Sequence, residues 1–239
     1  MTTHPATSPR LWAIVPAAGS GRRMGADIPK QYLSLAGRTV LEHSLAALDS
    51  ITGLVGIVVA ITSGDSRWSG LNLNLRTPVT TAPGGAERAD SVANALTQLS
   101  QQAAPEDWVL VHDAARPCVR TNDLQLLIAQ LSDDPVGGLL AIPVRDTMKQ
   151  ADAELHCVAT LDRARLWHAL TPQMFRFGLL RDALTAAQAA GVNVTDEASA
   201  MEHAGHRPRL IEGHADNIKI TRPEDLALAE FYLTQQGRK

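Results

Sequence analysis

A chain of 239 residues is long enough for one large α/β domain or two small ones. At 45% apolar, 20% charged and a net charge of −3, it is ordinary globular material, which argues against a broad basic footprint for nucleic acid or an anionic membrane. Cys118 and Cys157 are the only cysteines, too few for a disulfide framework or a zinc knuckle, so the expected home is the reducing cytoplasm.

Residues 1–10 are polar, lack the apolar core of a signal peptide and read as a flexible tail ahead of one domain over residues 11–236. No apolar run is long enough to span a bilayer. The run Leu11–Val15 reads as a buried strand, followed by a loop of small residues, Pro16 to Lys30, that carries Arg22, Arg23 and Lys30. Small residues let a ligand approach the backbone, and exposed amides with cations suit phosphate. The glycine spacing fits neither common phosphate loop: a dinucleotide fingerprint needs Gly where Met24 stands, and no Gly-Lys-Ser/Thr follows.

Thr39-Val40-Leu41-Glu42 is a capping box opening a helix with Leu41, Leu45 and Leu48 on one face. Leu54–Ile61, Trp108–Val111 and Leu139–Val144 are further buried strands. Helices carry Val92, Ala95, Leu96 and Leu99, then Leu124, Leu127, Ile128 and Leu131. This alternation predicts an α/β fold, a single Rossmann-like doubly wound sheet that is mostly parallel, with ligands at the carboxyl ends of its strands. From Val144 to about Thr160 the pattern breaks around a turn at Asp152, and the segment is either a β-arm or a long surface loop. Helices near Gly178–Ala190 and Asp196–His203 follow, then short strands at Leu210-Ile211 and Asn217–Ile220. Thr221-Arg222-Pro223-Glu224 reads as a second capping box before the last helix.

Three further runs carry chemistry. Asp113, in His112-Asp113-Ala114-Ala115-Arg116-Pro117, sits at a strand end and either holds Mg²⁺ beside phosphates or caps a turn. Gly84-Gly85 opens the helix that contains Ser91. Thr147, Arg163, Thr171, Thr195 and Lys219 add hydroxyls and cations along the second half.

Taken together, Pro16–Tyr32, Gly84–Val92, Val111–Pro117, Pro143–Lys149, Leu161–Gln173, Thr195–Met201 and Asp216–Glu230 resemble the 2-C-methyl-D-erythritol 4-phosphate cytidylyltransferases. The resemblance implies a protruding β-arm at about residues 144–166 that builds a homodimer. It implies CMP transfer from CTP to methylerythritol phosphate with Mg²⁺, while the charge and the short apolar runs give the expectation of no nucleic-acid or membrane partner. It assigns Ala17, Ala18, Gly19, Gly21, Gly85 and Ser91 to the nucleotide, and Lys30, Lys219 and Arg23 to the reacting phosphates. Asp113 is placed near the metal and the substrate phosphate, with Arg116, Thr147, Arg163, Thr171 and Thr195 on the substrate side. Ala86 stands where that family commonly carries Asp. A cytidylyltransferase for another polyol phosphate, such as ribitol 5-phosphate, is the alternative.

Overall fold

The computed structural model describes residues 9–19 and 28–238. In chain order the elements are β1 (Leu11–Pro16), β2 (Ser34–Leu35), β3 (Arg38–Thr39), α1 (Val40–Asp49), β4 (Leu54–Ile61), β5 (Val79–Pro83), α2 (Arg88–Leu99), β6 (Trp108–Val111) and α3 (Thr121–Leu131). They continue with β7 (Gly137–Pro143), β8 (Met148–Ala151), β9 (Cys157–Leu161), β10 (Trp167–Arg176), α4 (Phe177–Ala189), α5 (Glu197–His203), β11 (Arg209–Glu212) and α6 (Glu224–Gln235).

Seven strands form the central sheet in the order β11-β7-β10-β6-β1-β4-β5. All neighbours are parallel except β10, which runs antiparallel to both β6 and β7. Helices cover both faces, which is why the parallel strands are continuously apolar. On β1, Leu11, Ala13 and Val15 join Leu41, Leu45 and Leu48 of α1 and Leu124 and Leu127 of α3. The intervening Trp12 and Ile14 join Val92 and Leu96 of α2, Leu180 of α4 and Met201 of α5. A smaller cluster seats Ala229 and Leu233 of α6 on Leu35, Val40, Cys118 and Ile220.

The capping box at Thr39 is present as read, with Glu42 N donating to Thr39 Oγ1 and Thr39 N to Glu42 Oε2. The one expected at Thr221 is not. Asp225, one residue beyond the expected Glu224, accepts from the amides of Thr221 and Arg222 and from the Thr221 hydroxyl, which is thereby turned away from the helix start. Asn217–Ile220 is not a strand either: it is irregular chain, and Lys219 reaches the site from a loop. The antiparallel β10 carries no strand signal in sequence, because Trp167, His168, Thr171, Pro172 and Gln173 break any continuous apolar or alternating pattern. At its far end, Gly137 has φ +117°, and a Cβ there would lie 2.1 Å from the Met174 carbonyl, so only glycine lets β7 meet β10.

Residues 144–166 contain a two-stranded hairpin of β8 and β9, outside the main sheet. Asp152 closes its turn, Oδ1 accepting from the amides of Glu154 and His156. Leu155, Val158 and Leu161 on this hairpin are exposed apolar side chains.

Candidate active site

At the carboxyl ends of β1, β5 and β6 lies an open cleft of about 750 Å³. One wall is the backbone of Ala17, Ala18 and Gly19, following β1. Gln31, 4% exposed, pins this turn, its Nε2 donating to the carbonyls of Ala17 at 2.6 Å and Gly19 at 3.1 Å. The facing wall is Gly85 to Arg88 and Ser91. Gly84 N donates to Ile61 O at 2.7 Å, and a Cβ on Gly84 would lie 2.1 Å from Cβ of Ala18. The two walls therefore approach as closely as they do because residue 84 has no side chain. The Ser91 hydroxyl accepts from Gly85 N and donates to Glu87 O, so it shapes the glycine turn.

A bulkier residue 84 must push the walls apart. Gly84→Ala is expected to leave the sheet intact and to weaken nucleotide binding about tenfold, the usual scale of a forced backbone shift. Calorimetric titration with the nucleotide checks it, and unchanged affinity would refute it.

The cleft floor is charged. Asp113, directly after β6 and 6% exposed, has its Oδ2 2.7 Å from Lys219 Nζ and its Oδ1 2.9 Å from Arg88 Nε. Burial alone would raise this carboxyl, but the charges of Arg88 and Lys219 outweigh it and hold the group ionised, well below the usual carboxylate range. Arg88 also donates to both oxygens of Glu197, at 2.6 and 3.0 Å. Its own pKa lies above the ordinary value, because those two carboxylates overcome the cost of burial. Lys30 also lines the cleft, its Nζ donating to Ile220 O at 3.1 Å beside Lys219.

Beneath the floor runs a hydrogen-bond relay. Asp113 N donates to Thr171 Oγ1 at 3.0 Å, and that hydroxyl lies 3.0 Å from His112 Nδ1. His112 Nε2 lies 3.0 Å from the Arg116 carbonyl, which only accepts. The proton therefore sits on Nε2, Nδ1 accepts, and Thr171 donates to it. Burial pushes His112 down to about 4. Arg116 is folded inward, Nη1 donating to Asn217 O at 2.7 Å and Nε 3.6 Å from Asp113 Oδ2, too long for a hydrogen bond. Burial is also what lowers its pKa.

Of the site residues expected from the sequence, Ala17, Ala18, Gly19, Lys30, Gly85, Ser91, Asp113 and Lys219 meet around this cleft. Gly21 and Arg23 fall outside the described residues. Arg116 and Thr171 do not line the cleft but lie packed beneath it. Thr195 is exposed just ahead of α5, while Thr147 and Arg163 flank the hairpin, where Arg163 Nη1 donates to Arg145 O. Sequence reasoning assigned no role to Gln31, Arg88 or Glu197. Arg88 falls in the Gly84–Val92 run, but only the fold brings α5 and its Glu197 to it.

A family model described as IspD: 2-C-methyl-D-erythritol 4-phosphate cytidylyltransferase matches residues 11–235. The chain belongs to this cytidylyltransferase family. A protein of that name from Pseudomonas entomophila is 56% identical over 91% of this chain and 93% of its own length. Its counterpart in Klebsiella pneumoniae is 54% identical over 96% of both chains. The crystal structure of the Francisella tularensis 2-C-methyl-D-erythritol 4-phosphate cytidylyltransferase superimposes with a TM-score of 0.81 at 37% identity, covering 94% of this chain and all of that one.

Among the described residues no three His, Cys, Asp or Glu side chains gather into a metal cage. Both Asp113 oxygens already face cations. With no protein cage, a magnesium ion here would take most of its ligands from phosphates and water. Among the described residues no helix is long and apolar enough to cross a membrane.

Proposed function

We propose that this enzyme transfers CMP from CTP to 2-C-methyl-D-erythritol 4-phosphate, forming 4-diphosphocytidyl-2-C-methyl-D-erythritol and pyrophosphate for isoprenoid synthesis, by direct in-line displacement. The carrying observation is that Lys30 and Lys219 line one cleft together with the small residues Ala17, Ala18, Gly19 and Gly85. Bare backbone suits a flat base, read by main-chain groups at Ala17, Ala18, Gly19 and Gly85. Paired ammonium groups suit a phosphorus that gains negative charge as it becomes five-coordinate.

A phosphate oxygen of the substrate forms the new O–P bond at the α-phosphorus as the bond to pyrophosphate breaks. The attacking phosphate monoester is ionised near neutral pH, its second pKa being about 6, so no general base is needed. His112 is buried and its Nδ1 is engaged by Thr171, so it takes no proton from substrate. The protein's task is to align two anions and neutralise them. Lys30 and Lys219 hold the transferred phosphoryl group. Asp113 fixes Lys219 and would be the carboxylate available to a Mg²⁺ ion, which would supply further charge neutralisation.

On the substrate side, Thr195 binds methylerythritol phosphate in this reading, while Arg116 and Thr171, which do not line the cleft, act from beneath it. Thr147 and Arg163 serve the site of a second copy. An isolated two-stranded hairpin is marginal in water, and this one exposes Leu155, Val158 and Leu161, which favours its packing on a partner as a homodimer. Cytoplasmic residence accords with free Cys118 and Cys157.

Pyrophosphate release from CTP and Mg²⁺ is the test, with methylerythritol phosphate compared against ribitol 5-phosphate. Turnover with the first and little with the second is expected. Preference for ribitol 5-phosphate would move the enzyme to the alternative substrate.

A further inference from the structure

Arg88, the first residue of α2, lines the cleft with all three of its guanidinium nitrogens committed to carboxylates. One edge holds Asp113 at the end of β6; the other forks onto Glu197, the first residue of α5, which is 1% exposed. A single side chain thus ties the wall that carries Gly85 and Ser91 to the floor and to the helix that follows Thr195.

We propose that Arg88 is a positioning residue. Anchored by Glu197, it fixes the Asp113 rotamer so that Oδ1 is held and Oδ2 is presented to Lys219, which sets where the Lys219 ammonium stands over the reacting phosphorus. Two features carry this. The first is geometry: a guanidinium satisfies two carboxylates in different directions from one plane, which a lysine's single point charge does not. The second is competition. A triphosphate entering the cleft attracts every cation there. The bidentate grip of a buried carboxylate keeps Arg88 on Asp113, while Lys219, whose side chain is 38% exposed, remains able to meet phosphate. Glu197 in turn is tolerated at its depth because Arg88 pairs it, since a lone buried carboxylate is strongly disfavoured.

The proposal rests on Lys219 acting at the transferred phosphoryl group, and a double-mutant cycle separates the two ideas. Arg88→Lys is expected to lower kcat about 10- to 100-fold per folded molecule, the scale of a misplaced catalytic group, with KM for CTP little changed. In an Asp113→Asn background the same substitution is expected to add little, because the group through which it acts is already gone. Glu197→Gln, nearly the same shape and less disruptive to folding, is expected to follow the same pattern. The folded fraction comes from circular dichroism. Losses that multiply across the cycle overturn the proposal, as does a lowered melting temperature with kcat intact. No pyrophosphate release by the unsubstituted enzyme overturns the functional reading and this proposal with it.

Discussion

Lys219→Ala is expected to fold like the parent and to lose about 10²–10³ in kcat, the usual effect of removing one preorganised charge from a developing anion. Folding survives because Asp113 keeps Arg88 at 2.9 Å and the lysine side chain is 38% exposed, so its removal strands no buried charge alone. Turnover does not survive, for two reasons that add. One of the two lysine cations of the cleft is gone, and the Asp113 carboxylate, no longer capped on Oδ2, faces the arriving phosphates as a like charge. The effect falls on kcat more than on KM for CTP, since the lost interaction strengthens as the α-phosphorus becomes five-coordinate. Steady-state pyrophosphate release measures both constants. Lys30→Ala is expected to behave alike, and turnover within a few-fold of the parent in both variants would remove the lysine pair from the mechanism.

The legible part of this molecule was the part written in local chemistry. Buried runs such as Trp108–Val111 announce central strands because two covered faces demand continuous apolar residues. Thr39 and Glu42 announce a helix start because both halves of the capping box lie within four residues. The cleft was legible where its walls are backbone, at Ala17 to Gly19 and Gly84-Gly85, because only small residues serve there. Illegible were the features that depend on long-range meeting. β10 takes its order from pairing with β6 and β7, not from its own pattern, which mixes Trp, His, Thr and Gln. The irregular path at Asn217–Ile220 is set by side-chain bonds, Asn217 Nδ2 to Thr171 O and Arg116 Nη1 to Asn217 O, that no local spacing records. Glu197 reads as an ordinary first-turn acid until the fold brings Arg88 against it.

That distinction also explains why Thr171 and Arg116 changed character. Both sit in runs shared with the family, and both stand under the site with their polar atoms turned to other protein groups. A hydroxyl that accepts from the Asp113 amide and donates to His112 acts on substrate only through Asp113. The charged floor is in effect a second layer holding a first: Thr171, His112 and Arg88 hold Asp113, and Asp113 holds Lys219.

The same layer makes the fold sensitive to acid. His112 is fully buried, and burial pushes it from 6.5 down to about 4. Its surroundings are full: Asp113 follows it in the chain, Arg116 meets its Nε2 from four residues on, and Thr171 reaches it from β10, the carboxylate favouring protonation and the guanidinium opposing it. Protonation would put a hydrogen on Nδ1 against a Thr171 hydroxyl that already donates there, so the folded state resists it. Between about pH 6.5 and 4 the unfolded chain therefore binds the proton and the folded chain does not. The stabilisation is complete above pH 6.5, is lost as pH falls through that window, and changes no further below it, for a total on the order of 3 kcal/mol. Other carboxylates also titrate in acid, so the quantity to measure is the urea-unfolding free energy of the parent minus that of His112→Gln, which keeps polar atoms but does not ionise. The difference is expected to be flat above pH 6.5 and to fall toward pH 4. A difference independent of pH would show that His112 titrates normally, and would remove the neutral imidazole from the relay beneath Asp113.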